Sequence, residues 1–267
     1  MVIPVWGAYA GAPLQEALAS LRAQDTPARI IVVDNASDQP LGPVGEAEVV
    51  RAPERLTVGG ARNLGLDQVS TPYVMFWDAD DLMLPGTLGF LLEEISADGK
   101  LVAVAATIVE ESGRRHRWPP RWSARLARHP TLFALAHSAW SLFPSTGATI
   151  MRTGQVRECG GYEADEVSAE DWVLGTSLAH RGRIGLRDRP GRVYRRLGES
   201  LWQDHRAPAR QLAHAAAVRK RLRADAGIPR WARASALALK FLHPAVLLVL
   251  TPLARRVRSI SALVRKT

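Results

Sequence analysis

The sequence predicts an α/β protein: a mainly parallel sheet flanked by helices, followed by a helical C-terminal extension. Three observations carry that expectation. Short β-branched runs alternate with helix-spaced segments over the first hundred residues. The apolar runs read as strands buried on both faces, which is the habit of parallel sheets. Beyond residue 205 the chain is cationic and apolar by turns, with a helical pattern.

The opening run "MVIPVW" reads as a first strand. In "PLQEALASLRAQ", Leu14, Ala17, Leu18 and Leu21 recur at helical spacing. "RIIVVDNAS" is a second strand that ends in turn-forming residues, and "GGARNLGLDQVS" is a glycine-led helix start. "YVMFWDADD" reads as another buried strand and "KLVAVAATIV" as a fourth. Between them "PGTLGFLLEEIS" is a helix with Pro85 near its first turn. Residues 110–133 break the pattern with arginines, tryptophans and a Pro-Pro pair, and read as a long mobile loop before a less regular second half. Met151, Trp140 and Phe143 are expected in the core.

Composition narrows the function classes. A chain of 267 residues can bury one sizeable core, or one large domain with an appendage. With 47% hydrophobic and 23% charged residues, wholesale disorder is excluded. The lone Cys159 rules out an intramolecular disulfide framework, and residues 1–20 hold no cationic segment followed by an apolar run. A cytoplasmic location is therefore expected. Residues 205–267 carry 14 Lys/Arg against one acid, net +13, which leaves −4 for the rest of the +9 total. The basic character belongs to the tail.

In sheets of this kind ligands bind beyond the carboxyl ends of the strands. Asp34, Asn35, Asp78, Asp80 and Asp81 all fall at such ends. Carboxylates as crowded as Asp78 and Asp80 repel unless something positive sits between them, and a divalent cation is a simple remedy. Oxygen-only ligands favour Mg²⁺ or Mn²⁺, whose shells phosphate oxygens complete, so a phosphorylated substrate is indicated. For any single aspartate, Asp81 above all, a turn or helix cap is the plain alternative.

"VIPVW", "IIVVDNASD", "GGARNLGL", "FWDADD", "GGYEADEVSAEDW" and "YRRLGES" stand in the order and approximate spacing of glycosyltransferase family 2. The sequence resembles that family over residues 1–205. The resemblance implies a GT-A type, Rossmann-like catalytic domain at 1–205, with 206–267 as a basic, apolar helical extension. It implies a metal-dependent, inverting enzyme that moves a sugar from a nucleotide-diphosphate donor, expected to be a UDP-sugar, to a hydroxyl acceptor. That acceptor is a glycan, a lipid-linked molecule or a small molecule.

The resemblance also places residues. Pro4 and Val5 would border the nucleotide base, and Trp6 would stack on it where the family usually has a tyrosine. Asp34 and Asn35 match an Asp-Asp pair that contacts the base; the departure at Asn35 leaves open which residue reads it. Arg62 would offset phosphate charge. Asp78 and Ala79 would face the ribose or the metal's water shell, Asp80 would bind Mn²⁺ or Mg²⁺ directly, and His205 would be a late metal ligand. Asp171 of "AEDW" would be the general base that takes the acceptor proton. Read locally, Glu170–Asp171 is equally an acidic first turn of a helix, and His205 beside Asp204 an ordinary surface histidine. Arg195 and Arg196 either reach the diphosphate or are salt-bridged.

In the tail, an apolar stretch from Ala234 to Leu253 is interrupted by Lys240, His243, Pro244 and Pro252, which makes it a poor membrane span. It is either an interfacial helix on the cytoplasmic face of an anionic membrane, or a helix packed on the catalytic domain or on a second copy in a homodimer. Two rival classes fit less well. A sugar nucleotidyltransferase would carry a cation in the loop after the first strand, where "VWGAYAGAP" has none. A nucleic-acid-binding protein with a degenerate catalytic domain would need exposed cations without the tail's greasy stretch.

Overall fold

The computed structural model describes residues 1–110, 118–164, 169–195 and 208–244. Strands β1 (Val2–Val5), β2 (Ile31–Asp34) and β3 (Glu48–Arg51) pair in parallel, in that order across the sheet. β4 (Tyr73–Val74) joins a five-stranded sheet ordered β4-β7-β6-β8-β5. Its other members are β5 (Leu82–Met83), β6 (Leu101–Glu110), β7 (Thr149–Arg152) and β8 (Arg183–Tyr194). The two sheets are joined through residues 73–77. Tyr73 and Val74 pair with β7. Two residues on, Val2 N–H donates to Met75 O and Trp77 N–H to Val2 O, both at 2.9 Å. One stretch of backbone thus belongs to β7 with its first half and to β1 with its second.

Alternation along β1 explains why both faces are covered. Val2 packs with Val33, Phe76, Phe143, Tyr162 and Leu174 on one side. Ile3 packs with Val32, Trp77, Leu91, Val104 and Ile150 on the other. Helix α1 (Ala12–Arg22) buries Leu14, Ala17, Leu18 and Leu21, the residues its spacing predicts. Helix α2 (Val58–Asp67) starts at Thr57, whose Oγ1 accepts from Gly60 N–H at 3.0 Å. Helix α3 (Thr87–Ala97) follows Gly86 at φ 68°, so Pro85 stands outside the helix. Its first amides, Thr87 N–H and Leu88 N–H, donate instead to Gln24 Oε1 at 3.0 and 3.2 Å.

The second half is more regular than its sequence suggests. Residues 118–133 hold α4 (Arg121–Leu126) and the start of α5 (Pro130–Ala139), where a long loop was expected; residues 111–117 lie outside the described residues. The short helix and the Pro-led start of α5 carry too few residues for a period to show. The parallel character belongs to the first half: β7 runs antiparallel to β4 and β6, and β5 antiparallel to β8, while β6 and β8 are parallel. Met151 and Phe143 are fully buried as expected, but Trp140, just past the end of α5, is 40% exposed.

Helix α6 (Thr153–Glu158) leads towards α7 (Glu170–Arg181), and α8 (Pro208–Ala224) and α9 (residues 230–244) follow. A third apolar cluster joins Trp172 and Val173 of α7 to Val218 and Leu222 of α8 and to Ala232, Ala236 and Leu239 of α9. The last two described helices therefore pack on α7, α8 through Val218 and Leu222 and α9 through one of its faces. Leu237 and Phe241, on the opposite face, are 69% and 70% exposed. Among the described residues no helix is long and apolar enough to cross a membrane.

Candidate active site

The carboxyl ends of β1 and β2 and the residues after Trp77 meet at one edge of the sheet. Pro4 and Val5 are buried in β1, and Val5 O accepts from Asn35 N–H at 2.9 Å. Trp6 is half-buried, with the Arg55 guanidinium 5.0 Å from its ring centroid and Tyr9 edge-on at 6.0 Å. Asp34 is buried. It accepts from Ser37 N–H at 3.0 Å, Leu41 N–H at 3.1 Å and Arg51 Nη1 at 2.5 Å. Burial alone would raise its carboxyl; the bonds from Ser37, Leu41 and Arg51 outweigh it and hold the group below the usual aspartate value. Asn35 pairs with the backbone of Leu56, accepting at 2.8 Å and donating at 2.9 Å. Both polar residues at the end of β2 are thus engaged in fixing the neighbouring loops, and Asn35 holds the one that carries Arg55 against Trp6.

A few residues along the same edge, acids and arginines alternate. Arg62, buried in α2, donates to Glu170 Oε1 at 2.8 Å and to Asp78 Oδ1 at 2.9 Å. Asp78 Oδ2 takes a second guanidinium, Arg192 Nη2, at 2.5 Å. Arg192 also contacts the fully buried Asp81. Asp81 Oδ1 in turn accepts from Arg195 N–H at 3.0 Å, which fixes the end of β8. Burial opposes ionisation of Asp78, but Arg192 and Arg62 prevail and keep its carboxyl below the ordinary value. Arg195 pairs with Glu16, so the salt-bridged reading holds for it. Arg196 and His205 lie outside the described residues.

The cations that relieve the crowding of Asp78 and Asp81 are therefore guanidiniums. Asp80 differs: no Lys or Arg reaches its carboxylate at ion-pair distance among the described residues. Burial and then the neighbouring Asp78 push it up to about 6. Among the described residues no group of three or more His, Cys, Asp or Glu could hold a metal ion. Asp80 could offer one carboxylate to a cation whose other ligands come from a bound molecule. Ala79 is buried between the two aspartates.

Asp171 stands beside Glu170 in the first turn of α7. Burial, then the charge of Glu170, raises its carboxyl to about 7, with Arg62 opposing. A carboxylate poised there can accept a proton near neutral pH. Its position is set by the preceding motifs. Ser145 Oγ donates to Asp171 O at 2.9 Å, and Tyr162 OH donates to Ser145 O at 2.8 Å. Asn63, one residue after Arg62, clamps the Tyr162 backbone with bonds of 2.9 and 2.8 Å. Sequence reasoning missed Arg192. Its signal is indirect: Gly147 of "STGAT" has φ +68°, and a Cβ there would sit 2.1 Å from Arg192 Nη1.

This edge, on this sheet, defines a protein of the GT-A type. The model for Glycosyl transferase family 2 matches residues 1–157, and the chain belongs to that family. The Pre-mycofactocin glycosyltransferase of Mycobacterium tuberculosis, in strains CDC 1551 / Oshkosh and ATCC 25618 / H37Rv, is 31% identical over 191 residues. The match covers 68% of this chain and 39% of that protein, so the chain spans well under half of its relative's length. Among solved structures, S. aureus TarS 1-349 in complex with UDP-GlcNAc aligns with a TM-score of 0.66 at 18% identity, covering 90% of this chain and 71% of that one. The full S. aureus TarS structure aligns at 0.61 and 17% identity, covering 91% of this chain and 42% of that one. These structures share the fold.

Proposed function

We propose that the chain transfers a sugar from a nucleoside diphosphate donor to a hydroxyl acceptor with inversion, and that Asp171 is the general base. The acceptor oxygen attacks the anomeric carbon, its proton passes to Asp171, and the bond to the diphosphate oxygen breaks. The observation that carries this reading is a carboxyl raised to about 7 in the first turn of α7, one residue from the Glu170 that Arg62 ties to Asp78. A UDP-sugar is the donor we favour, because TarS, which shares the fold, has been solved with UDP-GlcNAc. Trp6, backed by Arg55 and Tyr9, supplies the stacking face for the base. Asp80 is the residue we assign to Mn²⁺ or Mg²⁺ at the diphosphate, where such an ion offsets the charge of the leaving group. Arg62, held by two carboxylates, acts on the phosphates through the field of the network. The exposed stripe of α9 supports peripheral contact with an anionic membrane, and hence a lipid-linked acceptor.

The decisive test pairs binding with turnover. UDP is expected to bind more tightly with Mn²⁺ than without, by calorimetry, and Asp80→Ala to lose that difference. Sugar transfer should rise with pH through about 7, as a base that must be deprotonated requires. Asp171→Asn should keep UDP affinity while turnover falls by about 10²–10⁴. Unchanged turnover in that variant would reassign the base.

A further inference from the structure

Far from the carboxyl edge, at the other end of α7, lies a cavity of about 540 Å³, within the usual range for small-molecule sites. It is framed by the starts of α5, β6 and α9 and by the last turn of α7, so it opens at the amino end of β6. None of its 15 lining residues is Asp or Glu, and four are cations: Lys100, Arg152, Arg181 and Arg183. Two of these are already neutralised from outside the cavity. Arg181 pairs with Asp225, and Arg183 with Asp98 at 2.8 Å.

Lys100 and Arg152 are not neutralised. Neither has a carboxylate at ion-pair distance among the described residues. Arg152 donates instead to the carbonyls of Leu101, Ile95 and Asp98 at 2.8, 3.0 and 3.4 Å, which position the guanidinium without cancelling its charge. The amide ends of α5 and α9 favour an anion in the cavity, while the carbonyl end of α7 and that of α3, which Arg152 meets through Ile95 O and Asp98 O, oppose one, so the helix termini largely offset each other. The two uncompensated cations decide the sign. At the rim, Trp231 is 51% exposed and forms a T-shaped pair with His180, ring centroids 6.2 Å apart. The exposed half of the indole offers a surface for a flat or apolar ring.

We infer that this cavity binds an acidic saccharide, with the sugar ring against Trp231 and its phosphate or carboxylate in the field of Lys100 and Arg152. The site is separate from the donor edge and does not depend on the function proposed for it. Calorimetric titration of the full chain tests it, with glucose 6-phosphate, glucuronate, inorganic phosphate and glucose as probes, with and without saturating UDP. At least one acidic sugar should bind about tenfold more tightly than either glucose or phosphate, whether or not UDP is present. Lys100→Glu, at an exposed position, should weaken that binding about tenfold or more without changing the melting temperature, and Trp231→Ala should weaken it as well. The inference is overturned if neither acidic sugar gives heat, if glucose or phosphate alone binds as well, if UDP abolishes the signal, or if Lys100→Glu leaves it unchanged.

Discussion

Three neighbouring carboxylates after Trp77 meet three different environments. Asp78 bridges two arginines, Asp81 is fully buried and fastens the end of β8, and the Asp80 carboxylate has no Lys or Arg at ion-pair distance among the described residues. Only the third has a carboxylate without an ion-pair partner among the described residues, which is why the proposed metal contact falls on it. Arg192 holds the first two in place, and it fits because position 147 has no side chain. In Gly147→Ala the new Cβ would lie 2.1 Å from Nη1 and 2.6 Å from Cδ of Arg192, on a backbone at φ +68°. Displacing the guanidinium leaves Asp81 buried without its cation, which costs about 3–5 kcal/mol for a broken buried pair. Guanidinium chloride unfolding should show that loss for Gly147→Ala and for Arg192→Met alike. A wild-type midpoint in both would mean that Asp81 does not need the pair. The chain's motifs announced the acids because they sit together in one line of sequence. Arg192 stayed hidden because its partners lie more than a hundred positions earlier.

Helix α2 shows why the glycine-rich motifs occur as a set. Gly65 lets it lie on β1 and β2, where a Cβ would meet Val2 Cγ1 at 2.3 Å. Gly59 lets its first turn meet the backbone after Tyr162, where a Cβ would lie 2.3 Å from Glu163 O. Asn63 closes the contact with its paired bonds to Tyr162. Asn63→Ala should therefore destabilise the fold by about 1–3 kcal/mol, the cost of leaving buried backbone groups unpaired, read as a lower urea midpoint. An unchanged midpoint would show that water replaces the amide. Elements of this kind were legible where a period could develop, as in α1 and the long run of β6. β3 was not, because four residues with two exposed ends give no alternation to count. The strand at 73–77 was legible as apolar backbone, but its division between two partners depends on β7, which lies some 75 residues further on.

For the molecule as a whole, α9 has two apolar sides with different fates. Ala232, Ala236 and Leu239 are buried against α7 and α8, so the described part of the stretch expected from Ala234 to Leu253 packs on protein with one side; residues 245–253 of it lie outside the described residues. Leu237, Phe241 and Leu242 face outward next to Lys240, on the most cationic part of the chain. Periodicity could reveal an apolar helix there but not how its circumference is shared. If the outward side meets lipid, Leu237→Asp with Phe241→Asp should abolish co-sedimentation with anionic vesicles while the circular dichroism spectrum stays the same. A wild-type chain that never sediments would remove the membrane from the proposal. The acid–arginine chain has a consequence for how the protein is made. Asp78 receives one guanidinium from α2 and the other from a strand that leaves the ribosome 114 residues later. A nascent chain that has emerged only through α7 holds the acids at 78–81 but lacks the strand that supplies Arg192 and lies between β6 and β5. A polypeptide stalled or clipped before that strand would be left with neither a complete second sheet nor a cation for Asp81.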